Sequence, residues 1–247
     1  MKKHIPNFLT SMNVLSGCIA SVMALQGNYL WVVIWVTTAA IFDFFDGFSA
    51  RLLKAYSPIG KELDSLADMV SFGLAPALAV FHLLSVNNPL GSPIYVSDSE
   101  SYYLRELIPY ISFLLVIFSA LRLAKFNIDE RQTTSFIGLP TPANALFWIS
   151  LCYGISTKDE FTQLFSFYPI IILVIIFSLL LTAEIPMFSL KIKSLKFKGN
   201  ELRYLLIAFI IVAVILWGIL GVAAGIVFYI IISIISAKFT KASTPQA

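Results

Sequence analysis

Residues 43–68, DFFDGFSARLLKAYSPIGKELDSLAD, set Asp43, Asp46, Asp64 and Asp68 between two long apolar runs. An ionised Asp near the middle of a membrane helix costs roughly 2.5–3.5 kcal/mol on insertion scales. Four of them so close together require a compensating charge or a water-filled cavity, and this limits the fold more than any other stretch. On a helix, Asp43 and Asp46 are an i, i+3 pair and Asp64 and Asp68 an i, i+4 pair, so each pair projects from one face. Tyr56, Ser57, Pro58, Ile59 and Gly60 carry the turn chemistry that ends one helix and opens the next. The two helices are therefore expected to be antiparallel neighbours. Their converging carboxylates repel unless cations lie between them, and all-oxygen ligation suits Mg²⁺ or Mn²⁺. A site for two divalent cations follows as the expectation.

Small residues share these faces. Gly47 and Ala50 lie one and two turns beyond Asp43, and Gly60 one turn before Asp64, which leaves bare backbone where a bulky group can approach. Arg51 follows at once with a planar fork of donors suited to phosphate. Carboxylates, cations, cleared space and an arginine together point to a pyrophosphate-bearing ligand. The plainer alternative is a helix interface in which the Asp residues pair with Arg51, Lys54 and Lys61.

The surroundings confirm the solvent. With 58% hydrophobic residues, 13% charged residues and a mean hydropathy of +0.86, the chain lies far from soluble domains, which carry about 25% charged residues. The fold class expected is all-α, a polytopic transmembrane helical bundle. Spans are placed at about residues 7–26, 29–50, 64–84, 106–126, 140–157, 167–187, 203–219 and 222–238, each near the length a bilayer needs. That gives eight, or seven if Gly218 and Gly221 do not divide the last apolar stretch. No linker separates two folding units, so residues 1–247 are expected as one domain. The opening Met1, Lys2 and Lys3 with an apolar run lacks the cleavage pattern of a signal peptide, and the first span is expected to stay.

With the N-terminus inside, all of the 17 Lys and Arg residues except Arg105 and Lys158 fall on inner segments, so both termini and the Asp-bearing loop are expected on the cytoplasmic face. The basic stretch KIKSLKFKGNELR is a topology determinant that also suits anionic head groups. Dispersed basic residues argue against nucleic acid as a partner. Cys18 and Cys152 lie in apolar runs and define neither a disulfide framework nor a metal site, and His4 and His82 have no ligand partners at zinc spacing. Glu184, before Pro186, is the one acid outside the motif expected within a span, either paired with a loop cation or lining the cavity.

The run Asp43, Asp46, Gly47, Ala50, Arg51, Gly60, Asp64, Asp68, at these spacings, resembles the signature of the CDP-alcohol phosphatidyltransferase family at all eight fixed positions. The resemblance implies an integral membrane enzyme that moves a phosphatidyl group from a CDP-linked lipid to an alcohol and releases CMP. It also implies that the four Asp residues hold the two cations, that Gly47, Ala50, Arg51 and Gly60 face the CDP-lipid, and that Asp68 is the general base. A cation-coupled transporter is the reading from another class, but the acids crowd at one interface and no second copy of the motif exists.

The remaining informative stretch is SALRLAKFNIDERQTTSFIGLPTPANALF, residues 119–147. Arg122 and Lys125 close the fourth span, where cations favour the negative end of the helix dipole, and that role alone would account for them. Asn127, Arg131 and Thr133, followed by Pro140, Thr141 and Asn144, add polar groups beside the expected site. This stretch, with IPNFLTSMNVLSGCIA and GKELDSLADMVSFGLAP, resembles the bacterial phosphatidylserine synthases within the larger family over most of residues 5–147, while the last three spans match only as generic apolar helices. That likeness implies CDP-diacylglycerol and L-serine as substrates, a bacterial cytoplasmic membrane, and Arg122, Lys125, Asn127 and Arg131 as acceptor-binding candidates, the cations suited to the serine carboxylate. Glycerol 3-phosphate or inositol phosphate is the alternative acceptor, and a homodimer is compatible with the sequence.

Overall fold

Gly27, at φ +70°, turns the chain out of the first helix, α1 (His4–Leu25), and into the second, α2 (Tyr29–Leu52). The structure, a computed structural model, describes residues 4–87, 106–129, 136–165, 167–188 and 200–242. The buried positions of α1 include Pro6, Thr10, Asn13, Gly17, Ala20 and Ala24, a stripe at three- and four-residue spacing made of small or short polar side chains. Such a stripe lets backbones approach closely where the hydrophobic effect gives no preference between helix and lipid. α1 accordingly packs along α2 and along the rod that follows.

That rod starts with α3 (Pro58–Asp68). The Ser57 hydroxyl accepts the Gly60 N–H at 3.0 Å and Pro58 occupies the first helical position, the capping arrangement that the turn residues favour. Directly after Asp68 the chain widens into a π-helical segment, Met69–Leu74, before α4 (Ala75–Val86). A side chain at Gly17 would overlap the Ser71 hydroxyl and backbone, and Ser71 Oγ donates to the Asn13 carbonyl at 2.9 Å. The wide turn is thus seated against bare backbone of α1. π-Helical turns recur at functional sites, and nothing in the apolar periodicity signals this one.

A 3₁₀ turn, Ile108–Phe113, leads into α5 (Leu114–Ile128). Then come α6 (Thr141–Thr157), the short α7 (Asp159–Leu164), α8 (Phe167–Thr182), α9 (Glu201–Trp217) and α10 (Leu220–Ala242). Helix α6 is the axis, touching α2, α4, the π segment and α10. It is buried nearly all round, as an apolar helix without a polar face must be; Trp148 is fully enclosed, and Phe147 stacks on Phe177 of α8 with centroids 3.8 Å apart. By contrast α9 buries only Leu206 and Ala213 and exposes Ile211, Ile215 and Leu216, the surface expected of a helix at the lipid boundary.

Each of the eight expected spans coincides with a helical segment. Five are long and apolar enough to cross a bilayer: His4–Leu25, Tyr29–Leu52, Pro58–Val86, Ile108–Ile128 and Leu220–Ala237. The other three, α6, α8 and α9, have 17, 16 and 17 residues, at or just under the lower limit of about 17 for a span. Gly218, at φ +65°, breaks the last apolar stretch into α9 and α10, which pack on each other. The described residues are mostly helical, and they also hold a short strand pair that patterning did not anticipate. Two-residue strands β1 (Phe136–Ile137) and β2 (Pro186–Met187) pair antiparallel, Phe136 opposite Met187 and Ile137 opposite Pro186.

Candidate active site

Helices α2 and α3, expected as direct antiparallel neighbours, touch each other little and pack instead on α1, yet their acids converge. Carboxylate oxygens of Asp43, Asp64 and Asp68 lie within 4.8 Å of one another. Asp64 Oδ1 and Asp68 Oδ1 are buried and accept no hydrogen bond. Buried polar atoms normally find partners, so two orphaned carboxylate oxygens facing a third acid fit a bound hard cation well. Asp46, one turn on from Asp43, is only 5% exposed and lies close enough to Asp64 to act on its charge. Its Oδ2 accepts the Thr10 hydroxyl of α1 at 2.6 Å, and Thr10 Oγ1 also lies 3.0 Å from the Pro6 carbonyl. The fourth acid is therefore held by α1, beside the three-acid group.

The small residues divide. A side-chain carbon at Gly47 would meet nothing within 4 Å, whereas one at Gly60 would meet Ser57 Oγ at 3.0 Å and Asn7 Oδ1 at 3.2 Å. Open space lies at Gly47; at Gly60 the absent side chain lets the start of α1 close in. Ala50 is half-buried and Arg51 exposed on the last turn of α2. Across the bundle, Lys61 Nζ donates to the Asn127 carbonyl at 2.9 Å and Asn127 Nδ2 to Ser65 Oγ at 2.9 Å. These bonds tie α3 to the end of α5, and the basic residues of both segments gather at the acid-bearing end.

Arg122 is 7% exposed. Its Nη1 donates to Thr141 Oγ1 at 3.1 Å, its guanidinium lies 5.6 Å from the centre of the Phe126 ring, and its Nε has no partner. It lies near Asp68, whose charge acts on it, and near the Tyr229 hydroxyl. Arg122 and Lys125 also line a cleft of about 360 Å³ with Asp129, Ile137, Leu181 and Glu184, within the ~300–1,000 Å³ typical of small-molecule pockets. Asn144 is fully buried, with neither end of its amide bonded. Arg131 and Thr133 lie outside the described residues, as does most of the basic stretch that precedes α9.

The model for CDP-alcohol phosphatidyltransferase matches residues 3–231. The chain belongs to that family. The match reaches residue 231, within α10. Among curated proteins the chain is similar to the CDP-diacylglycerol-serine O-phosphatidyltransferase of Bacillus subtilis (strain 168), with 33% identity over 154 residues, 61% of this chain and 76% of that protein. It is similar to the enzyme of the same name from Helicobacter pylori (strain J99), with 34% over 160 residues, 64% of this chain and 60% of that one. A third, from Methanocaldococcus jannaschii, shows 32% over 153 residues, 62% of each chain. The chain spans less than two thirds of the length of the Helicobacter and Methanocaldococcus relatives.

For this phosphatidyltransferase, the residues that spacing did not reveal are those supplied by distant helices. Thr10 holds Asp46, and Tyr229 of α10 donates its hydroxyl to the Phe188 carbonyl at 3.1 Å beside β2; Thr141, already among the polar groups picked out in the sequence, orients Arg122. The stripe of α1 was the available signal for Thr10; a lone Tyr in an apolar run carried none.

Proposed function

We propose that the protein transfers the phosphatidyl group of CDP-diacylglycerol to L-serine, forming phosphatidylserine and CMP. The observation that carries this reading is the juxtaposition of three convergent carboxylates with a cleft that shares Arg122 with Asp68. In it, Asp43, Asp64 and Asp68, with Asp46 beside them, hold two divalent cations, Mg²⁺ or Mn²⁺. Such cations supply charge neutralisation for the pyrophosphate and the departing CMP. The open surface at Gly47 and Ala50 admits the cytidine diphosphate, and Arg51 meets phosphate at the rim. Gly60 acts by letting α1 approach.

The acceptor enters the cleft, its carboxylate received by Arg122 and Lys125; Asn127 and Arg131 are the further acceptor-binding candidates. The Asp68 carboxylate takes the proton from the serine hydroxyl, whose oxygen forms a new bond to the phosphatidyl phosphorus. The phosphorus–oxygen bond to CMP breaks, and CMP leaves with the electron pair. An unperturbed hydroxyl is a poor nucleophile, so proton removal in the transition state is where a carboxylate helps. The distribution of Lys and Arg supports a topology of eight spans in one domain, with both termini and the site on the cytoplasmic side of the membrane. The experiment is a product assay on purified, detergent-solubilised protein with CDP-diacylglycerol and radiolabelled serine. Labelled phosphatidylserine formed in step with CMP is expected; CMP release with glycerol 3-phosphate and none with serine overturns the choice of acceptor.

A further inference from the structure

The cleft that Arg122 and Lys125 line carries both signs of charge. Asp129, at the end of α5, and Glu184, just past α8, line it too. Resting on the reading that the acceptor alcohol enters here, we propose that Glu184 is a specificity-determining residue that receives the acceptor's ammonium group, so that the cleft selects a zwitterion over an anion.

The position of Glu184 is built. Gly138 N–H donates to the carbonyl of Ile185 at 2.9 Å and Leu139 N–H to that of Leu180 at 2.9 Å, while Ile137 pairs with Pro186. A side chain at Gly138, which sits at φ +77°, would meet the carbonyls of Leu181 and Ala183. The loop that enters α6 is thereby laid against residues 180–186 and fixes the backbone that carries Glu184. The carboxylate itself is exposed, free to meet a soluble ligand. On the cationic side, Arg122 is more than nine-tenths buried, oriented by Thr141, and keeps Nε without a partner. A guanidinium has five donors and no acceptor, so the buried Nε–H is best satisfied by a ligand oxygen.

The two signs decide between acceptors. A serine zwitterion places its carboxylate on Arg122 and Lys125 and its ammonium on Glu184, and every charge is met. A phosphate-bearing alcohol gains the same cations but brings two negative charges beside Glu184. Charge-assisted hydrogen bonds are about twice as strong as neutral ones, so losing the acidic partner falls on serine and not on an acceptor without the ammonium.

The test compares wild type, Glu184→Gln and Glu184→Asp in detergent, reading CMP release with L-serine, 3-hydroxypropionate and glycerol 3-phosphate as acceptors. In Glu184→Gln the KM for serine is expected to rise about ten-fold or more, the KM for CDP-diacylglycerol to stay unchanged, and the preference for serine over 3-hydroxypropionate to shrink. Glu184→Asp keeps the charge and is expected to restore part of that preference. The unchanged donor KM shows that the variant is folded. An unaltered serine KM and preference in Glu184→Gln overturns the role of Glu184 while leaving serine as the acceptor. Wild type that turns over glycerol 3-phosphate and not serine overturns the earlier reading, and this one with it.

Discussion

Asp43, Asp64 and Asp68 come from two helices joined by the short connection from Leu53 to Ser57, and all carry one sign; the cleft beside them draws Arg122, Lys125, Ile137 and Glu184 from separate segments and mixes both signs. The difference is one of what completes each half. Like charges gathered in low dielectric repel and are relieved by a bound cation or by taking up a proton, so the acidic end is suited to a cation. The cleft compensates its own charges and needs no ion. On the proposed reading, one half holds the donor's charge and the other chooses among acceptors.

The largest effects should come from the acidic end. Chelation by EDTA is expected to abolish CMP release, and Mg²⁺ or Mn²⁺ to restore it; full activity in chelator would remove the cation site. Within the cluster, Asn keeps a carbonyl that coordinates weakly but cannot take a proton at neutral pH. Asp68→Asn should therefore retain CDP-diacylglycerol binding while turnover falls about 10²- to 10⁴-fold, the usual contribution of a positioned base. Asp64→Asn should weaken donor binding as well. Equal loss of donor affinity in the two variants, measured at fixed Mg²⁺, would erase the distinct role of Asp68.

A second comparison sharpens the contrast inside the donor half. Gly47→Leu places bulk in open space and should weaken CDP-diacylglycerol binding by about 10²-fold with the fold intact, since overpacking a filled site costs up to ~3 kcal/mol. Gly60→Leu pushes against Asn7 and Ser57 and should appear first as a lowered melting temperature in detergent. If Gly47→Leu lowers the melting temperature and spares donor affinity, Gly47 is a packing residue and the entry path lies elsewhere.

These contrasts also explain how much could be read from the chain alone. The acid pairs and the turn between them were legible because helical spacing and capping are local: Asp43 and Asp46, Asp64 and Asp68, and Ser57 before Pro58 act within a turn or two. The helical segments were legible from apolar runs of bilayer length. Arg122 and Lys125 were legible as cations near the site and Glu184 as an acid that could line a cavity, but the cleft they share was not, because Ile137 and Glu184 are brought to it by the pairing of β1 with β2. The π-helical segment after Asp68 depends on a close approach of Gly17 and Ser71, which belong to different helices. Gly60 looked like Gly47 in the sequence; the capping Ser57 hydroxyl and the arrival of Asn7 separate them.

The smallest expected effect tests the same boundary between local and distant contributions. Asp46 belongs by sequence to the acidic pair on α2, yet its Oδ2 is held by Thr10 of α1. Thr10→Val keeps the branched shape and removes the hydroxyl. A buried carboxylate that loses a donor is left partly unsatisfied, and hydrogen bonds to charged groups are worth about 1.5–3 kcal/mol. If Asp46 must be oriented from α1 to serve the donor site, Thr10→Val should lower kcat/KM for CDP-diacylglycerol about ten-fold and raise the Mg²⁺ concentration needed for half-maximal rate, while the KM for serine stays put. Thr10→Ser restores the hydroxyl and should recover most of the loss, which a purely steric role for Thr10 would not predict. Unchanged Mg²⁺ dependence in Thr10→Val would mean that Asp46 is positioned by α2 alone, and that the acidic end owes nothing to the first helix beyond packing.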